Sequence, residues 1–174
     1  MDIQSVKHIL KAAFLAQDTV IMEGPHGIGK SNIVKQFAKE DEYHLEELFL
    51  SHQEVGDLIG IPHTIERNDL TITTWSVPVW LQRMYHAASQ GKQCVLFLDE
   101  LNRAPIDVRQ SALQLVLEGV IHEHTLPVVN GFRTLIVAAI NPADDYQVDE
   151  LDPALLDRFL HVQVEADATA FLNY

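Results

Sequence analysis

The sequence predicts an α/β fold in which a mostly parallel sheet of five strands lies between helices on both faces. Three observations predict it. Continuous apolar runs, "TVIM" (19–22), "CVLFLD" (94–99) and "TLIVAAI" (134–140), suit strands covered on both sides rather than strands with one wet face. Segments with helical spacing separate them, and such alternation of strand and helix builds parallel units. A glycine-rich loop, "GPHGIGKS" (24–31), stands directly behind the first apolar run.

The elements follow in order. Ile3, Val6, Ile9, Leu10, Ala13 and Phe14 share one face of a helix over 3–15, which Asp2 can cap. "TVIM" is the first strand and "SNIVKQFAKE" the helix after the glycine loop. "HLEELFL" (44–50) has the length and composition of a second strand. Residues 57–75 mix Gly, Pro and Asn with β-branched pairs and are read as a loop carrying a hairpin. A helix follows Pro78 and ends at Gly91. "CVLFLD" is the clearest strand, and "PIDVRQSALQLVLEG" is a helix with Val108, Ala112, Leu115 and Val116 on one face. "VIHEHTL" and "PVVNGF" flank a turn and are expected to pair with each other. "TLIVAAI" is a buried strand, "PALLDRF" a short helix and "LHVQV" the last strand.

The charge balance excludes some functions. With 25 acidic residues against 12 basic ones the formal net charge is −13, which argues against a nucleic-acid surface, since such surfaces work by neutralising phosphates. The acidic stretches 39–47 and 144–152 read as solvated faces. The single cysteine, Cys94, opens an apolar run and reads as a core residue. No apolar run is long enough to cross a membrane and the N-terminus lacks a secretory pattern, so a cytoplasmic location is expected.

Gly24, Gly29, Lys30 and Ser31 fit G-x-x-x-x-G-K-[ST], with Pro25, His26, Gly27 and Ile28 as the intervening residues and Asn32 following. Glycines let backbone N–H groups turn inward around phosphate oxygens, and the helix behind offers its positive end. The lysine reaches the β- and γ-phosphates, and the serine hydroxyl ligates Mg²⁺. His26 stands at a freely variable position and is assigned no role of its own. Asp99 and Glu100 come where a buried strand emerges beside that loop, so the Asp can hold the Mg²⁺ shell and the Glu can polarise a water toward the γ-phosphate. Asn141 closes the "IVAAIN" run and can orient that water, although Asn-Pro is also common turn chemistry. Arg158 either pairs locally with Asp157 or Asp152, or points outward to a neighbour's γ-phosphate; the residues leave both open. His122 and His124 would share one face of a strand, but with no third ligand at a recognisable spacing a solvated hairpin is favoured over a metal site. Trp75, Trp80 and Phe132 read as packing residues. No Asn-Lys-x-Asp pattern occurs, which favours ATP over GTP.

"GPHGIGKS", "VLFLDELNRAP", "AAINP" and "LDPALLDRF", in this order, resemble the nucleotide-binding core of AAA+ ATPases, and most closely the MoxR branch and its dynein-related relatives. The likeness runs from about residue 5 to 165. It implies a P-loop NTPase three-layer sandwich of the AAA+ type filling 1–174. Residues 24–31 would be the Walker A loop, Asp99 and Glu100 the Walker B pair, Asn141 sensor 1, and Arg158 a finger acting in trans. "DLIG" (57–60) is similar to the loop after the second strand in this branch. Residues 61–75 would form its helix-2 insert and 121–133 the hairpin before sensor 1, loops that face the pore of a ring and touch a protein client. The helical lid of such proteins, with its second sensor arginine, is expected to be absent from this chain. The resemblance further implies ATP and Mg²⁺ as cofactors, a hexameric ring in the complete protein, chaperone-like remodelling of a client, and a partner with a von Willebrand factor A domain. Two other readings are a stand-alone P-loop enzyme, such as a small-molecule kinase, and a non-hydrolysing module whose assembly nucleotide governs.

Overall fold

A computed structural model describes residues 1–142, 151 and 156–165. Five strands form the central sheet: β1 (Thr19–Glu23), β2 (His44–Phe49), β5 (Cys94–Asp99), β10 (Leu135–Ile140) and β11 (Phe159–Gln163). Their order is β11-β1-β10-β5-β2, and every neighbouring pair is parallel.

The continuous apolar runs have a direct cause. Alternate residues of one strand enter two separate cores, so both sets must be apolar. Val20, Met22, Val95, Phe97, Val137 and Ala139 pack on one face under α1 (Ile3–Ala16) and α2 (Lys30–Glu40). Ile21, Leu96, Leu98, Ile136 and Ala138 pack on the other under α3 (Val55–Ile59), α4 (Val79–Ser89) and α5 (Ile106–Glu118). Asp2 caps α1 by accepting the Ser5 N–H at 2.9 Å, and Gly119 ends α5 in the left-handed region. Lys7, almost buried on α1, donates to Glu40 at 2.7 Å and ties α1 to α2.

Cys94 is 1% exposed and its thiol is pushed up to about 11 by burial. We therefore expect no labelling by a thiol reagent at pH 8 in the native state and full labelling once the chain is unfolded in denaturant. Fast native labelling would contradict the buried placement.

Residues 57–75 do carry a hairpin, with one difference. "DLIG" is not loop but the last turn of α3 and its end, because the Asp57 side chain accepts the Glu54 N–H at 3.0 Å and starts a helix there. The chain then turns at Gly60 (φ 87°) into β3 (Pro62–Arg67) and β4 (Leu70–Trp75). Asn68 and Asp69, both with positive φ, make the two-residue turn that suits a twisted hairpin. The β3–β4 hairpin stands exposed on both faces, with Ile65 directly opposite Ile72.

The segment 121–133 differs from expectation more. "VIHEHTL" and "PVVNGF" do not pair with each other. Each folds on itself, as β6 (Val120–Ile121) with β7 (His124–Thr125) and β8 (Val128–Val129) with β9 (Phe132–Arg133). His122 and the Asn130–Gly131 pair adopt positive φ, which places a tight turn inside each run rather than between them. Of the short helix read over 153–159, residue 156 is helical, 157 and 158 form a turn and Phe159 already belongs to β11, while residues 153–155 and all of the acidic stretch 144–152 except residue 151 lie outside the described residues.

The turn of β6–β7 clasps the end of β4. The Glu123 carboxylate accepts from the Thr74 hydroxyl and, at 2.8 Å, from the Trp75 N–H. His124 Nε2 lies 3.1 Å from the Trp75 carbonyl, and the His122 ring stacks on the Trp75 indole at 4.0 Å and 10°. His122 thus sits in the turn and not on a strand face with His124. Hydrogen bonds from Thr74 and then Trp75 hold the Glu123 carboxyl below the usual carboxylate range. A depressed folded pKa means that this contribution is present above the ordinary carboxylate range and is lost as pH falls through the folded value. Protection of the Trp75 amide from hydrogen exchange should therefore fall as pH drops below about 4, once corrected for intrinsic rates, and Glu123→Gln should remove that dependence. Trp80, 3% exposed, donates its indole N–H to the Leu58 carbonyl at 3.0 Å, and Phe132 stacks on Phe14.

Candidate functional site

The carboxyl ends of β1, β5 and β10 point the same way, and the sequence motifs meet there around an open cleft of about 320 Å³. Gly24 leaves β1 where a Cβ would lie 2.5 Å from both the Val164 carbonyl oxygen and the Ile28 side chain, so only glycine lets the loop pass this close. Gly27 and Gly29 have φ of 79° and 91°, a region that L side chains avoid. Gly29 immediately precedes α2, so the helix N-terminus opens into the cleft. Ile28 packs on the core, while His26, Gly27, Gly29 and Asn32 line the cleft and Pro25 is exposed at the loop's crest.

Lys30 is 7% exposed and sits at the hub of the loop. Its ammonium donates to the Gly24 carbonyl at 2.5 Å, to the Pro25 carbonyl at 3.0 Å and to Asn141 Oδ1 at 3.1 Å. One cation therefore joins the glycine loop to the tip of β10. The Ser31 hydroxyl donates to Asp99 Oδ2 at 2.9 Å, and Asp99 Oδ1 accepts the Glu100 N–H at 2.9 Å. Hydroxyl and carboxylate already in contact form the hard-oxygen set that Mg²⁺ takes through water, so these two residues fit that ion.

Glu100 occupies the left-handed region (φ 56°, ψ 39°), which turns its side chain off the strand end and toward the cleft. The carboxylate accepts from the Ser51 hydroxyl, and Arg103 Nη1 lies 3.6 Å away. Asn141 is buried and backed by Asn102, whose amide donates to the Asn141 carbonyl at 2.8 Å and accepts its N–H at 3.3 Å. The Asn-Pro pair thus sits in a two-way side-chain bracket and not in a free surface turn.

Arg158 is not brought to this cleft. It precedes Phe159, whose register partner is Thr19, the first residue of β1, and the Thr19 hydroxyl donates to the Arg158 carbonyl at 2.7 Å. The glycine loop begins past Glu23 at the other end of that strand, about 13 Å along at strand rise. The Arg158 side chain is exposed and makes no ion pair with Asp157, and Asp152 lies outside the described residues. Three site neighbours carried little or no signal in the sequence. Asn102 and Arg103 stand inside "DELNRAP" but reach the site only through the short 3-10 turn after β5. Ser51, just past β2, is one serine among several until the sheet places β2 beside β5.

A fully parallel sheet with a glycine loop at the end of a central strand, followed by Lys-Ser, and an acidic pair on a neighbouring strand define a P-loop nucleotide-binding domain. The chain belongs to the AAA domain family, dynein-related subfamily, which matches it over residues 19–159. A crystal structure from Cytophaga hutchinsonii, of a protein described as an inferred ATPase, superposes with a TM-score of 0.65 at 20% identity. That alignment covers 98% of this chain and 48% of the other, so the chain spans about half the length of that protein. No curated protein matches the sequence. Among the described residues no helix is long and apolar enough to cross a membrane, and no group of three or more His, Cys, Asp or Glu side chains is placed to hold a metal ion.

Proposed function

We propose that this chain is the ATP-hydrolysing core of a MoxR-like remodelling machine that works in the cytoplasm as a ring, with ATP bound between neighbouring copies. The observation that carries the reading is the division of its polar groups. Lys30, Ser31, Asp99, Glu100 and Asn141 converge on one cleft, whereas Arg158 stands exposed at the opposite end of the sheet. A γ-phosphate in its own cleft is out of that arginine's reach, so in this reading the arginine serves the site of a neighbouring copy.

In this reading Lys30 turns from the Gly24 and Pro25 carbonyls to the β- and γ-phosphates, exchanging one set of oxygen acceptors for another. Ser31 and Asp99 hold Mg²⁺, which when bound neutralises charge developing on the phosphate oxygens. Glu100 takes the proton of the attacking water, and Asn141, kept rigid by Asn102, orients that water. Ser51 donates to one oxygen of the Glu100 carboxylate and orients it, which leaves the remaining lone pairs to accept from the water. The exposed β3–β4 hairpin, with Ile65, Leu70 and Ile72, supplies the surface for a protein client, and a partner with a von Willebrand factor A domain fits the family likeness. Residues 57–75 and 121–133 are the loops assigned to the pore.

The test is ATP turnover measured across a wide range of protein concentration. Turnover per subunit that climbs steeply with concentration supports a site completed by a neighbour. Turnover constant per subunit transfers the reading to a stand-alone P-loop enzyme. Tight binding of ATP without turnover, at any concentration, transfers it to a module whose assembly is governed by nucleotide.

A further inference from the structure

A second concave surface lies well away from the nucleotide cleft. It is a groove of about 430 Å³ between α4 and the amino end of the edge strand β2. His44, on its wall, is the first residue of β2, whereas Phe49, on the nucleotide cleft, is the last. The groove has an apolar floor and a cationic rim. Ala87 and the exposed Val79 of α4 give the floor; Arg83 and Lys92 are the cations of the rim, and the imidazoles of His44 and His86 complete it.

This concentration of base is unexpected in a chain with a formal net charge of −13. Among the described residues one acid meets the cluster. Glu46, nearly buried on β2, accepts from Arg83 Nε at 3.1 Å and from Arg83 Nη2, and its Oε2 lies 3.5 Å from His44 Nε2. That pair orients the guanidinium but occupies one edge of it. Arg83 Nη1 and the exposed Lys92 ammonium make no hydrogen bond or ion pair among the described residues. His86 meets only Gln90, one turn along the same helix.

We propose that this groove docks an acidic segment of a partner protein in which carboxylates alternate with small apolar side chains. The apolar floor and the aliphatic stems of Arg83 and Lys92 would take the apolar positions. Arg83 Nη1 and Lys92 would take the carboxylates, with a ring N–H of His86 as a further donor, and the remaining negative surface of the chain would repel a segment docked elsewhere. No glycine loop lines the groove to wrap a phosphate, and the apolar floor of Ala87 and Val79 offers a phosphate or nucleotide no hydrogen-bond donor.

The test is fluorescence anisotropy with a labelled ten-residue peptide alternating Glu with Val or Ala, alongside a Lys-for-Glu version. The acidic peptide is expected to bind and the basic one not, with affinity falling as salt rises from 50 to 300 mM (about a sixfold range of ionic strength). Lys92→Glu with His86→Glu should weaken binding by about tenfold or more, while thermal stability and ATP binding stay as in the parent. Both positions are rim groups, so the double variant is expected to fold. Arg83 is left in place because its loss strands Glu46. Equal binding of both peptides, or an unchanged affinity in the double variant, overturns the proposal. Displacement of the peptide by millimolar inorganic phosphate, with a bare Glu-Gly peptide binding equally well, would reduce the groove to a general anion site and overturn it as well.

Discussion

Glu100→Gln should leave nucleotide binding intact and lower ATP turnover by about a thousandfold, the usual worth of a positioned general base. The substitution keeps the shape of the side chain and an oxygen that still accepts from Ser51, so the left-handed backbone at this residue and the packing beneath it are undisturbed. The proton acceptor is what is lost. Ser31, which holds the metal with Asp99 in the proposed mechanism, donates to Asp99 and not to the glutamate, and Asp99 meets residue 100 at its backbone N–H, which the substitution leaves in place. A fluorescent-nucleotide titration should therefore give the parent's affinity while steady-state turnover collapses. If turnover survives, Glu100 is not the base. If binding fails together with turnover, the residue acts through the structure of the site and the proposed division of labour is wrong.

Gly60→Ala should cost the fold about 3 kcal/mol or more and loosen the β3–β4 hairpin. Two independent obstacles meet at this residue. Its φ and ψ of 87° and −172° lie in a region that only glycine occupies comfortably, and an added Cβ would fall inside the contact radius of the Ser76 carbonyl oxygen. Relief requires Ser76 to move, yet its N–H donates to the Ile61 carbonyl at 3.0 Å and closes the base of the hairpin. Gly56 is the internal control. It lies inside α3 with open space around it, so Gly56→Ala should be neutral or stabilise by about 0.5–1 kcal/mol. Denaturant midpoints of the two variants, with limited proteolysis in the hairpin, separate the cases. A Gly60→Ala midpoint equal to the parent's would show that the turn is not the fixed root described above.

The sheet was legible because its signal is redundant. A strand whose alternate residues enter two cores must be apolar at every position between its ends, and "CVLFL" (94–98) and "LIVAAI" (135–140) are. The glycine loop was legible for a different reason: its backbone conformations and close approaches admit almost no residue but glycine, so the requirement is written into residue identity at Gly24 and Gly29. Contacts made across the sheet leave no such mark. Ser51 meets Glu100 only because β2 pairs with β5, and a serine after an apolar run has many uses. The two small hairpins over 120–133 were misread as one because the apolar pattern of each half was clear while the left-handed turn at His122 falls on a residue type that rarely announces one. The short α3 was missed because five residues are too few for a period to show, and its start rests on one Asp57 hydrogen bond. Arg158 could be named from its neighbours, but the fact that it stands at the far end of β1 from the loop appears only with the parallel register.

The left-handed backbone at Glu100 carries a consequence for what kind of optimum this chain represents. A non-glycine residue there costs about 1–2 kcal/mol relative to glycine, so folding alone would favour glycine or asparagine at the position where the proposed mechanism needs a carboxylate. Stability and activity are thus opposed at a single site, and a library screened for heat resistance alone should enrich substitutions at residue 100 that leave a sturdier but inert protein.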